Sequence, residues 1–340
     1  FDLGLFNNKI DIVFDYFRSE RSNILMQRKT TPTLSGFRVN QYANYGIVSN
    51  HGVDMSLNAH HQIGKVKLRG TFTFARNEIK EYDELPQKYP WMERTGKRIN
   101  ENNLYIAERL YTKEDFIINK NSNGIESYTL RPELPQSTLG GLLGPGDIKY
   151  KDVNGDGVID SYDKVVGVGH PNVPEIVYGF GLNIEYKGFY ASVFFQGTGN
   201  CSVLLGGNTP EGWYPFAWGV DQSSYRTFAL DRWTESNPSQ NVLMPRLHKD
   251  NANNANNQVA STWWLRNGGF LRLKNMEFGY QLPKQFLKKF NVQAARIYVM
   301  GYNLALWDDL KYFDPEAGNA NGGNVYPKNR TFTLGIDFTF

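Results

Sequence analysis

Period-two alternation of apolar and polar residues constrains this chain more than any other feature. Near the C-terminus Phe332, Leu334, Ile336, Phe338 and Phe340 fall on one set of positions, and Thr331, Thr333, Gly335, Asp337 and Thr339 on the other. A helix turns once in about 3.6 residues and would mix the two sets, whereas a strand puts them on opposite faces. The same period of two recurs upstream. Ile10, Ile12, Phe14 and Tyr16 alternate with Asp11, Asp15 and Ser19, interrupted by apolar Val13 and Phe17. Val53, Met55, Leu57 and Ala59 alternate with Asp54, Ser56, Asn58 and His60. Val66, Leu68, Phe72 and Phe74 alternate with Lys67, Arg69, Thr71 and Thr73. Tyr178 to Tyr186, Phe189 to Phe195, Leu271 to Tyr280 and Arg296 to Leu306 complete the series. A change of phase near Lys274 and Asn275 predicts a bulge. The pattern predicts eight whole strands and the tail of another at Phe1 to Phe6.

Short and long connections alternate along the chain. The short ones are 7–9, 64–65, 187–188 and 283–292, and the long ones are about 28–44, 81–173, 204–267 and 307–327. This is the pattern of an outer-membrane barrel, with short periplasmic turns, long extracellular loops, an apolar outward band and a polar lumen. Spanning strands need about 9–11 residues, and these runs supply them. Aromatic residues make up 14% of a chain that is also 21% charged, which fits strands with two unlike faces. A soluble surface β-protein is the alternative, but it would leave a large apolar face in water. Eight strands with loops this long do not make a small closed barrel, so the expectation is a portion of a larger one.

Composition narrows the function. The 37 basic and 34 acidic residues leave a net charge of +3 with no block of one sign, so nothing points to nucleic acid. The single cysteine, Cys201, excludes an internal disulfide or a cysteine-rich zinc site. No run of about 18 apolar residues is present to form a membrane helix. The first residues carry no signal-peptide core and read as mid-strand, so the chain is expected to be the C-terminal piece of something longer. Catalysis finds no support: the five histidines lack partner spacing, and no nucleophile elbow or H-E-x-x-H is present. Asp15, Asp54, Lys67 and Arg69 are expected to form ion pairs along a wet wall.

Three stretches carry a family resemblance. One runs Tyr150-Lys151-Asp152-Val153-Asn154-Gly155-Asp156-Gly157-Val158-Ile159-Asp160, followed by Tyr186-Lys187-Gly188-Phe189 and Phe194-Phe195-Gln196-Gly197. The second is Trp264-Leu265-Arg266-Asn267-Gly268 leading to Gly279-Tyr280-Gln281-Leu282-Pro283. The third is Tyr302-Asn303-Leu304, then Phe313-Asp314-Pro315-Glu316 and the terminal strand. In this order they resemble the C-terminal part of SusC/RagA-like TonB-dependent outer-membrane transporters, most specifically over residues 145–340. The resemblance implies an all-β fold, a portion of a roughly 22-stranded antiparallel transmembrane barrel, spanning residues 1–340. It implies a plug domain and an N-terminal TonB-contacting region, both lying outside this chain. It also implies import of an oligosaccharide, or in some members a peptide, with a SusD-like surface lipoprotein and energy from the TonB complex. The alternatives are a TonB-dependent receptor for a metal chelate or vitamin without a lipoprotein lid, and a soluble glycan-binding protein.

Two constellations stand out locally. Asp152, Asn154, Asp156, Asp160 and Asp163 occupy positions 1, 3, 5, 9 and 12 of a calcium-type loop, with the carbonyl of Val158 at 7 and Gly157 at the sharp turn. These oxygens suit a structural calcium ion, although aspartate at position 12 reaches less far than glutamate. The alternative is a polar Asx/Gly turn without metal. Trp213, Tyr214, Phe216 and Trp218 form an aromatic cluster in a long connection, for substrate stacking, lid contact or loop packing. Trp263 and Trp264 read as membrane-interface residues, and the run Asn251 to Asn257 as a solvated loop tip. Tags near Asn254 and Gly322 are expected to be reachable from outside the cell, and tags at Gly188 or Lys288 not.

Overall fold

The computed structural model describes residues 1–36, 38–61, 66–205, 227–248, 255–311, 314–317, 326 and 328–340. Nine strands form one antiparallel sheet in chain order, each beside the next. They are β1 (Asp2–Leu5), β2 (Ile10–Gln27), β3 (Tyr42–His61), β4 (Val66–Glu81), β5 (Ile176–Tyr186), β6 (Phe189–Gly199), β7 (Phe270–Gln281), β8 (Ala294–Asp308) and β9 (Thr331–Thr339). The short β1 and eight whole strands match the periodicity. The phase change in β7 is a register shift between Leu273 and Asn275 against β8, and a second shift lies at Phe194/Phe195 in β6.

The register explains the alternation. One row crosses all nine strands as Leu5, Ile10, Ala59, Leu68, Leu182, Val193, Met276, Gly301 and Phe332. Every member is apolar or glycine. The parallel row through Phe278, Val299 and Leu334 is exposed, with no protein layer over it. The opposite face carries Asp11, Asn58 and Arg69 in one row, and Asp15, Asp54 and Thr73 in another. A sheet this wide with an uncovered apolar face and a wet polar face is a section of barrel wall. On β2 the outward positions change from Phe14 and Tyr16 to Arg18 and Glu20. The apolar band therefore ends partway up strands that run 18 and 20 residues in β2 and β3, longer than spanning requires. Their upper parts pair beyond the band.

Wall ion pairs depart from expectation. Among the described residues Asp54, Lys67 and Arg69 make none, and Asp15 and Asp54 face each other directly. Asp15 pairs instead with the amino group of Phe1 at 3.7 Å, and another pairing on this face is that of Arg296 with Asp337 at 2.7 Å and Glu277 at 3.4 Å.

The buried core lies in the connections. Tyr105, Leu110, Ile148, Tyr150, Ile159, Val203, Phe228, Met244 and Trp264 pack together from two long connections. Within the 81–176 connection Ala107–Leu110 pairs with Ile148–Tyr150, and Phe116–Lys120 forms a hairpin with Glu126–Leu130. Ser202–Leu204 pairs with Leu265–Asn267 to bring the next long connection into the same layer. The long connections thus build a folded layer at one end of the wall. The other end closes tightly. Lys187 and Gly188 both adopt positive φ, at 47° and 90°, as a two-residue hairpin turn requires.

Candidate functional site

The loop 152–163 is held by its own side chains. Asp152 accepts from the N–H groups of Gly155 at 2.7 Å and Gly157 at 2.8 Å. Asn154 accepts from Asp156 N–H, and Asp156 from Val158 N–H. Asp163, fully buried, accepts from Val153 N–H at 2.7 Å and Asp160 N–H at 2.9 Å, tying the two ends of the loop together. Asp160 caps the short helical turn that follows. Gly155 and Gly157 take φ of 73° and 82°, a conformation that disfavours a side chain. As for a metal, the donor set is of the right chemistry: the carboxylates accept N–H groups and retain lone pairs. The carboxylates are nonetheless spread around the turn, and no group of three or more acidic, histidine or cysteine side chains converges among the described residues.

Beside the loop stands an aromatic platform that the sequence reading missed. Tyr89 and Trp91 stack at 4.5 Å with 7° between planes, and Tyr162 meets Tyr89 edge-on at 6.0 Å. Trp91 Nε1 donates to Tyr162 O at 2.9 Å, and Lys88 Nζ lies 4.2 Å from the Tyr162 ring centroid. The spacing Tyr-Pro-Trp at 89–91 was its only local signal, because Tyr162 arrives from 71 residues away. The cluster Trp213, Tyr214, Phe216 and Trp218 lies outside the described residues.

Two expectations for the connections are corrected. Trp264 is fully buried in the layer's core with its indole N–H on Asn257 O, and Trp263 donates to Leu243 O at 3.1 Å. Neither sits in an interface belt. Of the asparagine run, Asn256 and Asn257 are buried rather than solvated. Asn257 accepts from Ile148 N–H at 2.9 Å and donates to Asp147 at 2.8 Å. Asn256 donates to Ile148 O, and its own carbonyl accepts from the Tyr150 hydroxyl. Asp147, buried, also takes Arg246 at 2.7 Å and His248 at 2.9 Å. Composition suggested low complexity. Hydrogen-bond capacity decides otherwise, since an amide can serve a donor and an acceptor at once inside a packed layer.

Charged clamps join this layer to the wall. Buried Glu175, one residue before β5, takes both Nε and Nη2 of Arg76 on β4, at 2.8 and 3.0 Å, and Arg98 at 3.2 Å. Burial pushes its carboxyl up, but the hydrogen bonds from Arg76 and Arg98 outweigh that and hold it below the usual glutamate range. Asp83, just past β4, gathers Arg28, Lys29 N–H and the Thr30 hydroxyl within 2.8 Å. Burial opposes its charge. The hydrogen bonds from Thr30, Lys29 and Arg28 prevail and lower it to about 2. On β7, Arg272 and Lys274 hold Asp314 and Glu316, at 2.6 and 3.2 Å.

No family model matches the chain. Three curated relatives match along its whole length. TonB-dependent receptors P3 and P26 of Formosa agariphila are 27% and 28% identical, and TonB-dependent receptor SusC of Bacteroides thetaiotaomicron is 23% identical. The chain spans about a third of their length, 31–34%. Among solved structures, the RagAB peptide transporter shares the fold, with TM-score 0.68 and 24% identity over all of this chain and 34% of that one. The uncovered apolar wall, the sheet order and the likeness along the whole chain to these receptors agree: the chain is a section of outer-membrane β-barrel wall similar to the C-terminal part of SusC/RagA-like TonB-dependent receptors.

Proposed function

We propose that the whole protein imports a nutrient oligomer across the outer membrane, oligosaccharide ahead of peptide, with a SusD-like surface lipoprotein over its mouth and TonB supplying the energy. This chain would contribute wall and mouth and no catalysis. The observation that carries the reading is the folded layer at the long-connection end. A passive pore needs no packed core at its mouth, whereas a partner that docks and lifts needs a rigid seat. The Tyr89, Trp91 and Tyr162 platform favours sugar, because flat rings stack on the apolar faces of pyranoses. A receptor for a metal chelate is the second reading; it would work without a lipoprotein. Uptake of labelled oligosaccharides and peptides by cells lacking the transporter, the neighbouring lipoprotein gene or TonB tests the proposal. Oligosaccharide uptake should fall in all three strains. Undiminished uptake without the lipoprotein would overturn the lid.

We further propose that Asp152, Asn154, Asp156, Asp160, Asp163 and the Val158 carbonyl hold a structural calcium ion that stiffens the mouth layer. The support is the oxygen donor set within twelve residues and the two glycines that shape the turn. Ligand distances of about 2.3–2.6 Å are expected. Terbium luminescence excited through Trp91 and Tyr162 should be quenched by calcium and lost in D156A. A loop equally protease-resistant in chelator, with no terbium signal, would make these carboxylates turn formers alone.

A further inference from the structure

The sheet order puts the turns after β1, β5 and β7 at one end of the wall. These are residues 6–9, 187–188 and 282–293. Together they hold five lysines, Lys9, Lys187, Lys284, Lys288 and Lys289, and no Asp, Glu or Arg. All five side chains are exposed, and none makes an ion pair with a described residue. Beside the lysines stand exposed rings: Phe6 next to the first turn, Tyr186 and Phe189 flanking the second, Phe286 and Phe290 in the third. The third turn is a short helix, Lys284–Leu287, continued by a tighter turn over Lys288–Phe290. Its buried Leu287 anchors it, and the Phe286 and Phe290 rings meet at 5.4 Å. The nearest acids are few: Glu185 before Tyr186, Asp11 after Lys9, and Asp337, already paired with Arg296. Elsewhere the chain mixes its charges, so this end is cationic against a nearly neutral whole.

We propose that this lysine and aromatic rim is a binding site for anionic phospholipid headgroups of the periplasmic leaflet. The rings lie at the edge of the apolar band, where Phe278, Tyr280 and Ile297 run down to the turn. Exposed rings at that level sit in the interfacial zone. Ammonium groups beside them meet phosphodiesters, each adding on the order of fivefold in affinity near an anionic surface. A soluble acidic partner would satisfy the lysines but leave the rings in water, and a neutral lipid surface would satisfy the rings but leave the lysines unpaired. An anionic lipid surface satisfies both. The inference rests on the short turns facing the periplasm, which cysteine labelling tests separately.

The test uses the full-length transporter, purified in detergent and titrated in native mass spectrometry with phosphatidylglycerol, phosphatidylcholine or lipopolysaccharide. Phosphatidylglycerol should bind roughly tenfold tighter than phosphatidylcholine. K284Q/K288Q/K289Q should abolish that preference, and K113Q/K120Q in the mouth layer should leave it intact. A photo-crosslinking residue at 290 should label phospholipid in nanodiscs. Equal affinities in the wild type, an unaltered preference in the triple variant, labelling of lipopolysaccharide alone, or labelling of the plug polypeptide would each overturn the proposal.

Discussion

Single side chains carry much of the order in this mouth layer. Asp83 serves Arg28, Lys29 and Thr30 from a buried position. D83A strands those donors, and a lost set of this kind costs about 2 kcal/mol. The expected outcome is faster proteolysis and hydrogen exchange around residues 28–31, with the wall strands unchanged. The pH dependence has a definite sign. A carboxyl held below its unfolded value stabilises above that value and loses the contribution as pH falls toward the folded one. The Asp83 contribution is therefore complete above about pH 4 and lost toward about pH 2. Glu175, also lowered, gives way in the same direction. Acid titration followed by exchange at Thr30 checks this, and protection rising on acidification would refute it. Asn257 makes a second case. N257A leaves Ile148 N–H without its acceptor and takes one donor away from Asp147, again about 2 kcal/mol. Exchange at Ile148 and a red shift of Trp264 emission should report the loosening.

At the scale of elements, the faces of the strands are not equivalent. Val193 lies in the apolar row and Ser192, beside it on β6, points the other way. V193R should lower unfolding stability in bilayers by about 2–4 kcal/mol, while S192R costs far less, because only the first puts a cation into hydrocarbon. Equal effects would contradict the inside-out wall. This difference was legible in the sequence because lipid and lumen impose a period of two on every strand. The strand count and the Lys274 bulge were legible for the same reason. The mouth layer was not. Its core is assembled from Tyr105, Ile148, Met244 and Trp264, separated by tens of residues and embedded in polar segments with no regular period. The buried amides of Asn256 and Asn257 look like a solvated tract until Asp147 and Ile148 are placed beside them. The calcium-type loop was conspicuous because its residues are contiguous. The Tyr89 and Tyr162 platform was hidden because its residues are not.

For the whole molecule, connection length and charge divide the two ends. One end gathers the folded layer, its ion pairs and its aromatic platform, and the other gathers tight turns and exposed lysines. Such a division orients a barrel, since long loops face the outside and short turns the periplasm in outer-membrane proteins. Asn254 and Gly322 lie outside the described residues, and the nearby Asn256 and Asn257 are buried, which makes that segment a poor place to probe. Better probes are at hand. Gly124 tips the hairpin between Phe116–Lys120 and Glu126–Leu130, with open space where a side chain would project. Lys289 lies exposed in the opposite turn. In the full-length transporter, with Cys201 replaced by Ser, S122C beside Gly124 should react with a membrane-impermeant maleimide on intact cells. K289C should react only after the outer membrane is permeabilised. The opposite pattern would reverse the orientation, and with it both the lipoprotein seat and the periplasmic lipid rim, whereas labelling of both positions on intact cells would show that the wall does not separate two compartments.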